Sequence, residues 1–142
     1  MTSETENFLA EMLPKQLAAE RAIHGGDAGP RKALWSHTDP VSLFGAAIPA
    51  RTGWTDLART FDWVASTFKD PKDYRFEMLA AHASCDLAYT VGFEHNTVTL
   101  HGTPTTYTRR ATHIYRREHG EWKIIHRHSD PIPEDQELFT KP

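Results

Sequence analysis

The sequence predicts an α+β fold, in which helices come first and a run of antiparallel strands follows. Two patterns and the chain length predict it. In the first half, apolar residues recur every three or four positions, which is typical of amphipathic helices. From residue 74 onward they alternate with polar residues, which is typical of half-buried strands. The length of 142 residues fits one domain, so we expect residues 1–142 to form a single domain with one curved sheet wrapped over the helices.

Three helices are expected, at residues 8–23, 27–35 and 53–68. Pro14 interrupts the first helix, so we expect a kink or a break there, and the pair Gly25-Gly26 ends it. Asp27 is placed to cap the second helix. The third helix has the clearest apolar stripe, and core packing is the simplest explanation of that stripe.

Strands are expected at residues 41–44, 74–78, 87–100, 105–117 and 122–129. Turn signals separate them. Residues 70–73, Asp-Pro-Lys-Asp, are expected to turn the chain between the third helix and the strands. The dipeptide His119-Gly120 is expected to close the last hairpin, and the tail from residue 131 onward is expected to be irregular.

Composition and charge argue against several classes of protein. A net charge of −3 does not favour nucleic acid as a partner. No apolar run approaches the ~20 residues of a membrane span, and the acidic start lacks the pattern of a secretory signal. Cys85 is the only cysteine, so the chain has no internal disulfide. We therefore expect a cytoplasmic protein that binds neither nucleic acid nor membrane, and no cofactor, since no phosphate-loop or dinucleotide motif occurs.

Three stretches carry a resemblance to a known family: "LWSHTDPVSLFG" at 34–45, "AYTVGFEH" at 88–95 and "RRATHIYRREHGEWKIIHRHSDP" at 109–131. Together with the order of elements, they resemble the nuclear transport factor 2-like superfamily in its SnoaL-like, polyketide cyclase-like branch. The resemblance implies a cone-shaped domain, in which three N-terminal helices pack on a strongly curved, mainly antiparallel sheet around an internal pocket. It also implies homodimers, often built from the outer sheet face. It does not imply one reaction, because the fold hosts both enzymes and assembly domains.

The turn of the last hairpin decides which residues face the pocket. A two-residue loop would place His113 opposite His126, whereas a three-residue loop ending at Gly120 would place Thr112 opposite His126. A one-residue slip moves every side chain to the other face. We favour the three-residue loop, because such loops often end in a glycine. His113 and Arg127 then face the pocket.

Three residues are candidates for catalysis. His113 is the candidate acid or base, because a pocket imidazole titrates near neutral pH. Arg127 is the candidate stabiliser of an anionic oxygen. Asp39 lies in an Asp-Pro-Val run similar to one that carries the base of ketosteroid isomerase, but a second alignment with relatives makes it a turn or cap residue. We favour the second alignment.

Two larger sets of residues complete the expected site. Residues expected to line the pocket are Phe44, Trp63, Tyr89, Val91, Phe93, Tyr115, Ile125 and Ser129. Residues expected on an outer face that contacts a dimer partner are Arg110, Thr112, Trp122, His126 and His128.

The function expected from these residues is binding of a small apolar or carboxylate-bearing molecule. The protein would be a cofactor-free isomerase, cyclase or hydratase that works by proton transfer. The alternative is a non-enzymatic ligand-binding or assembly module. A mononuclear metal enzyme that uses His126 and His128 is a further alternative, but a His-x-His pair needs additional ligands and Arg110 on the same face would repel a cation, so no metal site is assigned.

Overall fold

A computed structural model describes residues 3–133 of the chain. The helices are α1 (Glu4–His24), α2 (Gly29–Leu34) and α3 (Trp54–Thr67). The strands are β1 (Ser42–Gly45), β2 (Ile48–Thr52), β3 (Phe68–Ser84), β4 (Leu87–Leu100), β5 (Thr103–Glu118) and β6 (Glu121–Pro131). The helices pack on one six-stranded sheet with the order β2-β1-β6-β5-β4-β3. Only the β1–β6 pair is parallel, so the expected α+β fold with a curved, mainly antiparallel sheet is confirmed.

The helices differ from expectation at Pro14. Helix α1 continues through this residue instead of breaking. Pro14 is exposed, and the buried side chains of Met12 and Gln16 hold the helix against the sheet on both sides of it. Ser3 caps the helix, since its hydroxyl accepts a hydrogen bond of 3.1 Å from the backbone N–H of Glu6.

Two parts of the sheet also differ from expectation. Residues 70–73 do not turn the chain but belong to β3, where the register shifts between Lys69 and Asp73 and Asp70 adopts a left-handed conformation (φ 52°). The expected turn is therefore a bulge within a longer strand. Strand β2 was not expected, because only Ile48 of its residues is buried and no apolar alternation marks it. The tail that was expected to be irregular lies, from residue 134, outside the described residues.

The β5–β6 hairpin has a two-residue loop, so the favoured three-residue loop was wrong. His119 and Gly120 both have positive φ, 51° and 79°, as the tight turn of a two-residue hairpin requires. Tyr115 pairs with Ile124, and the register then shifts by one residue. Beyond this bulge at Ile125, the pairs differ from either expected register.

The bulge decides the faces of β6. Before it, Trp122 and Ile124 point into the core with Tyr115. Beyond it, His113 pairs with Arg127, so the inward positions on β6 change from even to odd numbers. The prediction that Trp122 lies on the outer face was wrong for this reason. Its ring is buried and contacts that of Phe8 edge to face, with 5.1 Å between the centroids.

The hydrophobic core lies between the helices and the concave face of the sheet. Its largest fully buried side chains include Phe8 of α1, Trp35 after α2, Phe61 of α3 and Tyr115 of β5. Burial of large aromatic side chains supplies much of the folding free energy of a small domain. No helix among the described residues is long and apolar enough to cross a membrane.

Candidate functional site

A cavity of about 150 Å³ opens between α3, the β1–β2 turn and the far ends of β4 and β5. Its walls are apolar on the side of α3 and the turn, where Ile48, Val64 and Phe68 line it. Its floor is polar, because buried charged residues of α1, α2, β4 and β6 meet there. An apolar cavity of about this size holds a benzene ring, whereas a drug-sized ligand needs at least about 300 Å³. The cavity therefore fits a single small ring or a short chain.

Two buried ion pairs form the floor. Glu94 and Arg127 are joined by two hydrogen bonds, of 2.6 Å and 3.0 Å, that Arg127 donates. Arg31 donates to both carboxylate oxygens of Glu20 at 2.6 Å. The pairs adjoin one another, since 3.9 Å separates the Arg127 guanidinium from Glu20. With two acids and two bases, the floor is balanced in charge, as buried charges require.

The surroundings of Glu94 keep it ionised. Burial alone would raise the pKa of its carboxyl, but the charge of Arg127 and its hydrogen bonds outweigh burial and hold this pKa below its ordinary value. The hydroxyl of Tyr74 donates a further hydrogen bond of 2.8 Å to the same carboxylate. Glu94 is therefore a poor proton acceptor, and the guanidinium of Arg127 is already neutralised by a partner.

His113 lies behind Arg127 rather than in the cavity. Its side chain is 1% exposed, and its Nε2 accepts a hydrogen bond of 3.0 Å from the Arg127 guanidinium. Burial, followed by the charge of Arg127, lowers its pKa to about 3. Because the Nε2 lone pair is occupied and does not reach the cavity, the geometry does not support His113 as a general base.

The partners of His113 fix its tautomer. A guanidinium can only donate, so Nε2 is the unprotonated nitrogen and Nδ1 carries the hydrogen. Nδ1 lies 3.4 Å from the side-chain nitrogen of Gln16, a contact between two donors rather than a hydrogen bond, while the side-chain oxygen of Gln16 accepts a hydrogen bond from the hydroxyl of Tyr115. All four side chains are buried, so these contacts join α1 to β5 and β6 inside the core.

His24 is the histidine that does face the cavity. Its Nδ1 contacts the backbone carbonyl oxygen of Glu20 at 2.5 Å, so Nδ1 is the protonated nitrogen. Its Nε2 therefore accepts a hydrogen bond from the hydroxyl of Tyr107, 3.2 Å away. Burial lowers the pKa of His24 and raises that of Tyr107 to about 12, so both side chains are neutral at pH 7. A neutral imidazole and a phenol are thus joined by one hydrogen bond at the cavity wall.

Two polar groups of the cavity have no hydrogen-bond partner among residues 3–133. The side-chain oxygen of Asn96 is buried and accepts no hydrogen bond. The guanidinium of Arg109 makes no ion pair and lies only over the ring of Tyr107, 4.3 Å from its centre. Both residues come from neighbouring strands, since Asn96 pairs with Tyr107 and Glu94 pairs with Arg109.

The residues expected in the pocket divide into three groups. Trp63, Arg127 and Ser129 line the cavity. Tyr115 is fully buried below it, and Ile125 packs against the core. Tyr89, Val91 and Phe93 face outward instead, because the inward positions of β4 are the buried Ala88, Thr90, Gly92, Glu94 and Asn96.

Two further candidates lie away from the cavity. Phe44 is 43% exposed, and its ring contacts those of His126 and His128 edge to face on the outer side of the sheet. Asp39 is exposed and accepts a hydrogen bond of 2.9 Å from the backbone N–H of Trp54. It therefore caps helix α3, as the second alignment favoured.

The outer face contains the other residues assigned to a dimer contact. Thr112 pairs with His128, and Arg110 binds Asp130 through two hydrogen bonds of 2.7 Å and 2.8 Å. The Nδ1 of His126 lies 2.7 Å from the hydroxyl of Ser42. Nowhere between residues 3 and 133 do three histidine, cysteine or acidic side chains group as a metal site.

The sequence analysis missed the helical side of the site. Gln16, Glu20 and His24 are spaced four residues apart, so they lie on one face of α1, and all three are buried. The signal was present, since these polar residues share a face with Met12 and Ile23. It was not recognised because the helix was interpreted through its apolar residues alone.

Comparison with known families gives a match over most of the chain. A family model described as the SnoaL-like domain matches residues 18–133. No curated protein sequence shows a significant match.

Solved structures share the fold. A protein assigned as a dehydratase of the nuclear transport factor 2-like family, from Streptomyces avermitilis, superimposes with a TM-score of 0.70 at 18% identity, over 90% of this chain and 99% of that one. A ketosteroid isomerase-like protein from Erwinia carotovora atroseptica gives 0.71 at 23% identity, over 88% and 96%. A protein assigned as a calcium/calmodulin-dependent protein kinase type II association domain, from Thiobacillus denitrificans, gives 0.73 at 17% identity, over 86% and 95%. At these identities the likeness shows the fold alone.

Proposed function

The chain belongs to the SnoaL-like domain family, and from that premise we propose that it binds a small molecule in its cavity and acts on it as a cofactor-independent isomerase- or lyase-type enzyme. Some structures with this fold are named for such chemistry, as a dehydratase or as ketosteroid isomerase-like. The proposal itself rests on one observation in this chain, the His24–Tyr107 pair at the cavity wall.

The pair has the properties of a proton acceptor. His24 is neutral, and its tautomer is fixed by the backbone carbonyl of Glu20, so its basic nitrogen points toward Tyr107 and the cavity. A proton that leaves the substrate passes to the Tyr107 oxygen while the Tyr107 proton passes to His24 Nε2. The resulting imidazolium lies close to the carboxylates of Glu20 and Glu94, both of which raise the His24 pKa by their charge.

The acid–base role expected of His113 therefore passes to His24, which lines the cavity. The anion-binding role expected of Arg127 passes to Arg109, whose guanidinium makes no ion pair in the part of the chain that the structure describes and is therefore available to an anionic group of the ligand. Returning the proton to a different atom of the substrate gives isomerisation. Loss of a neighbouring hydroxyl as water gives dehydration.

Proton abstraction can be measured without knowing the natural substrate. Small cyclic ketones exchange the hydrogens next to the carbonyl for deuterium in D₂O, and proton NMR follows the exchange. We expect the wild-type protein to accelerate exchange of 4-oxocyclohexanecarboxylate. Both His24→Gln and Tyr107→Phe should slow it by roughly 10²- to 10⁴-fold, the usual contribution of general acid–base catalysis.

His113→Gln is the matched control, because it changes a buried histidine that does not line the cavity. This variant should retain exchange. Exchange that survives His24→Gln but is lost in His113→Gln would return the catalytic role to His113. A wild-type protein that exchanges no ketone of a varied panel would contradict the enzymatic proposal.

An assembly module is the second candidate, and the outer sheet face favours it. Tyr89 and Ile114 lie directly opposite one another there, and they are 41% and 37% exposed. Phe44 adds a third exposed apolar side chain beside β6. Apolar side chains grouped on one exposed sheet face are typical of a subunit contact. We propose that a second copy of the chain covers this face, and a homodimer that binds no small molecule would favour this candidate over the enzyme.

A further inference from the structure

The cavity has two recognition groups that the proton-transfer pair does not use. Asn96 is 4% exposed, and its side-chain oxygen has no partner within residues 3–133. A buried amide oxygen without a partner is unfavourable, because it has lost its hydrogen bonds to water. Such an oxygen is expected to be matched by a hydrogen-bond donor of a ligand, and Asn96 lines the cavity where a ligand would lie.

Arg109 is the cation available to a ligand. The other two arginines of the cavity, Arg31 and Arg127, are each bound to a buried carboxylate through two hydrogen bonds. Within residues 3–133, the Arg109 guanidinium makes no hydrogen bond or ion pair and lies over the ring of Tyr107. A half-buried guanidinium with its donors free is well suited to a carboxylate, which it can bind through two parallel hydrogen bonds.

The sheet register sets the spacing of these two groups. Tyr107 and Arg109 lie two residues apart on β5, and Asn96 pairs with Tyr107 on β4. Asn96 and Arg109 are therefore diagonal neighbours, about 7–8 Å apart at the backbone. A ligand that meets both carries its two polar groups at opposite ends of a small body, rather than on adjacent atoms.

The walls and the volume define the rest of the ligand. Leu43, Ile48, Val64 and Phe68 offer no hydrogen bonds to it, so its body is apolar. The volume of about 150 Å³ admits one six-membered ring or a chain of similar size. Larger fused-ring molecules do not fit this space.

We propose that the cavity selects a small monocarboxylate, whose carboxylate binds Arg109 and whose distal hydroxyl group donates a hydrogen bond to the side-chain oxygen of Asn96 across one apolar ring or short chain. This inference rests on the proposed function for the location of the site. It goes beyond that function by assigning the ligand class and two specificity-determining residues.

Three related probes test the two contacts separately. They are 4-hydroxycyclohexanecarboxylate, its methyl ester, which lacks the charge, and cyclohexanecarboxylate, which lacks the hydroxyl group. Calorimetric titration of the wild-type protein should show the hydroxy acid binding most tightly. Each of the other two should bind roughly ten- to hundredfold more weakly, the usual loss for one hydrogen-bonded contact to a buried or charged group.

The variants should show a crossed pattern. Asn96→Leu, which keeps the approximate shape of the side chain, should weaken binding of the hydroxy acid and of its ester but leave binding of cyclohexanecarboxylate unchanged. Arg109→Gln should weaken binding of both carboxylates and leave binding of the ester unchanged. Because each variant retains its affinity for one probe, unfolding cannot explain the result. Arg75→Gln removes one positive charge from an exposed side chain that does not line the cavity, and it should change nothing.

Three results would overturn the inference: wild-type protein that binds the ester as tightly as the hydroxy acid, a variant that weakens binding of all three probes equally, or no binding of any probe. The inference and the proposed function fail in different ways. Crossed selectivity without deuterium exchange would overturn the catalytic proposal alone. Deuterium exchange that is equally fast with 4-oxocyclohexanecarboxylate and with its methyl ester would overturn the ligand class alone.

Discussion

Replacing Arg127 by methionine removes one half of a buried ion pair and leaves the other half in place. Glu94 is 1% exposed, and without Arg127 its carboxylate keeps only the Tyr74 hydroxyl as a hydrogen-bond donor. Removing one partner of a buried pair destabilises a protein by about 3–5 kcal/mol, because an uncompensated charge remains inside. We expect Arg127→Met to lose this amount, a large part of a typical folding free energy of about 5–15 kcal/mol.

Replacing the other partner of the pair, Glu94, should destabilise the protein less. In Glu94→Gln the amide keeps the shape of the carboxylate and can still accept from Arg127. The guanidinium also retains a carboxylate neighbour, Glu20, at 3.9 Å. We expect a loss of about 1–3 kcal/mol, close to that of one hydrogen bond to a charged group. The double variant removes both charges, so it should be no less stable than Arg127→Met alone.

Urea denaturation at pH 7, followed by tryptophan fluorescence, measures these free energies, since Trp35 and Trp122 are buried in the core. The thermal midpoint of Arg127→Met should fall by about 10–15 °C for a chain of this size. We expect a coupling free energy of about 2 kcal/mol between the two sites, since the double variant leaves no unpaired buried charge. Single-variant losses that add in the double variant to within about 0.5 kcal/mol would refute it, because independent sites behave that way.

Three further predictions concern pH, the helix cap and the outer face. The pKa of His113 is about 3 in the native state and about 6.5 when unfolded, so between these values only the unfolded chain binds the proton. Stability should therefore fall by up to about 1.4 kcal/mol per unit as pH drops below 6.5, and urea titrations of His113→Gln should show a shallower slope. Asp39→Ala should lose about 0.5–2 kcal/mol in thermal melts, through the cap on Trp54, yet retain deuterium exchange, whereas lost exchange would restore Asp39 as a catalytic candidate. Ile114→Glu should turn the proposed dimer into a folded monomer in light-scattering measurements, while a wild-type monomer would contradict that proposal.

The fold was predictable because its signals are local and repeated. Helical periodicity and strand alternation each persist over many residues, so single exceptions such as Pro14 do not change the class. The expectation that His113 and Arg127 share a face agrees with their pairing, although the expected loop was wrong. A two-residue turn followed by a one-residue bulge leaves these positions on the same face as a three-residue turn would.

The site was less predictable because burial does not follow hydrophobicity in this part of the chain. On β4, Glu94 and Asn96 point inward and Tyr89 points outward, which inverts the usual pattern. The buried carboxylate of Glu94 is compensated by Arg127, which lies 33 positions away in the sequence. Periodicity reports the face of a residue but not its distant partner, so the charge balance that permits this inversion becomes visible only in three dimensions.

The bulge at Ile125 has a consequence for how this cavity could change in evolution. If β6 were regular from its turn onward, His113 would lie opposite His126, and His128 would point inward two positions further along. The arginine-centred floor would then become a cluster of imidazoles, with no side chain replaced. Deleting Ile125 would instead leave the present faces intact, because His126 would follow Ile124 in normal alternation. The identity of the inward residues on this strand therefore depends on one backbone irregularity, and loss of the bulge with every residue retained would exchange one chemistry for the other in a single step.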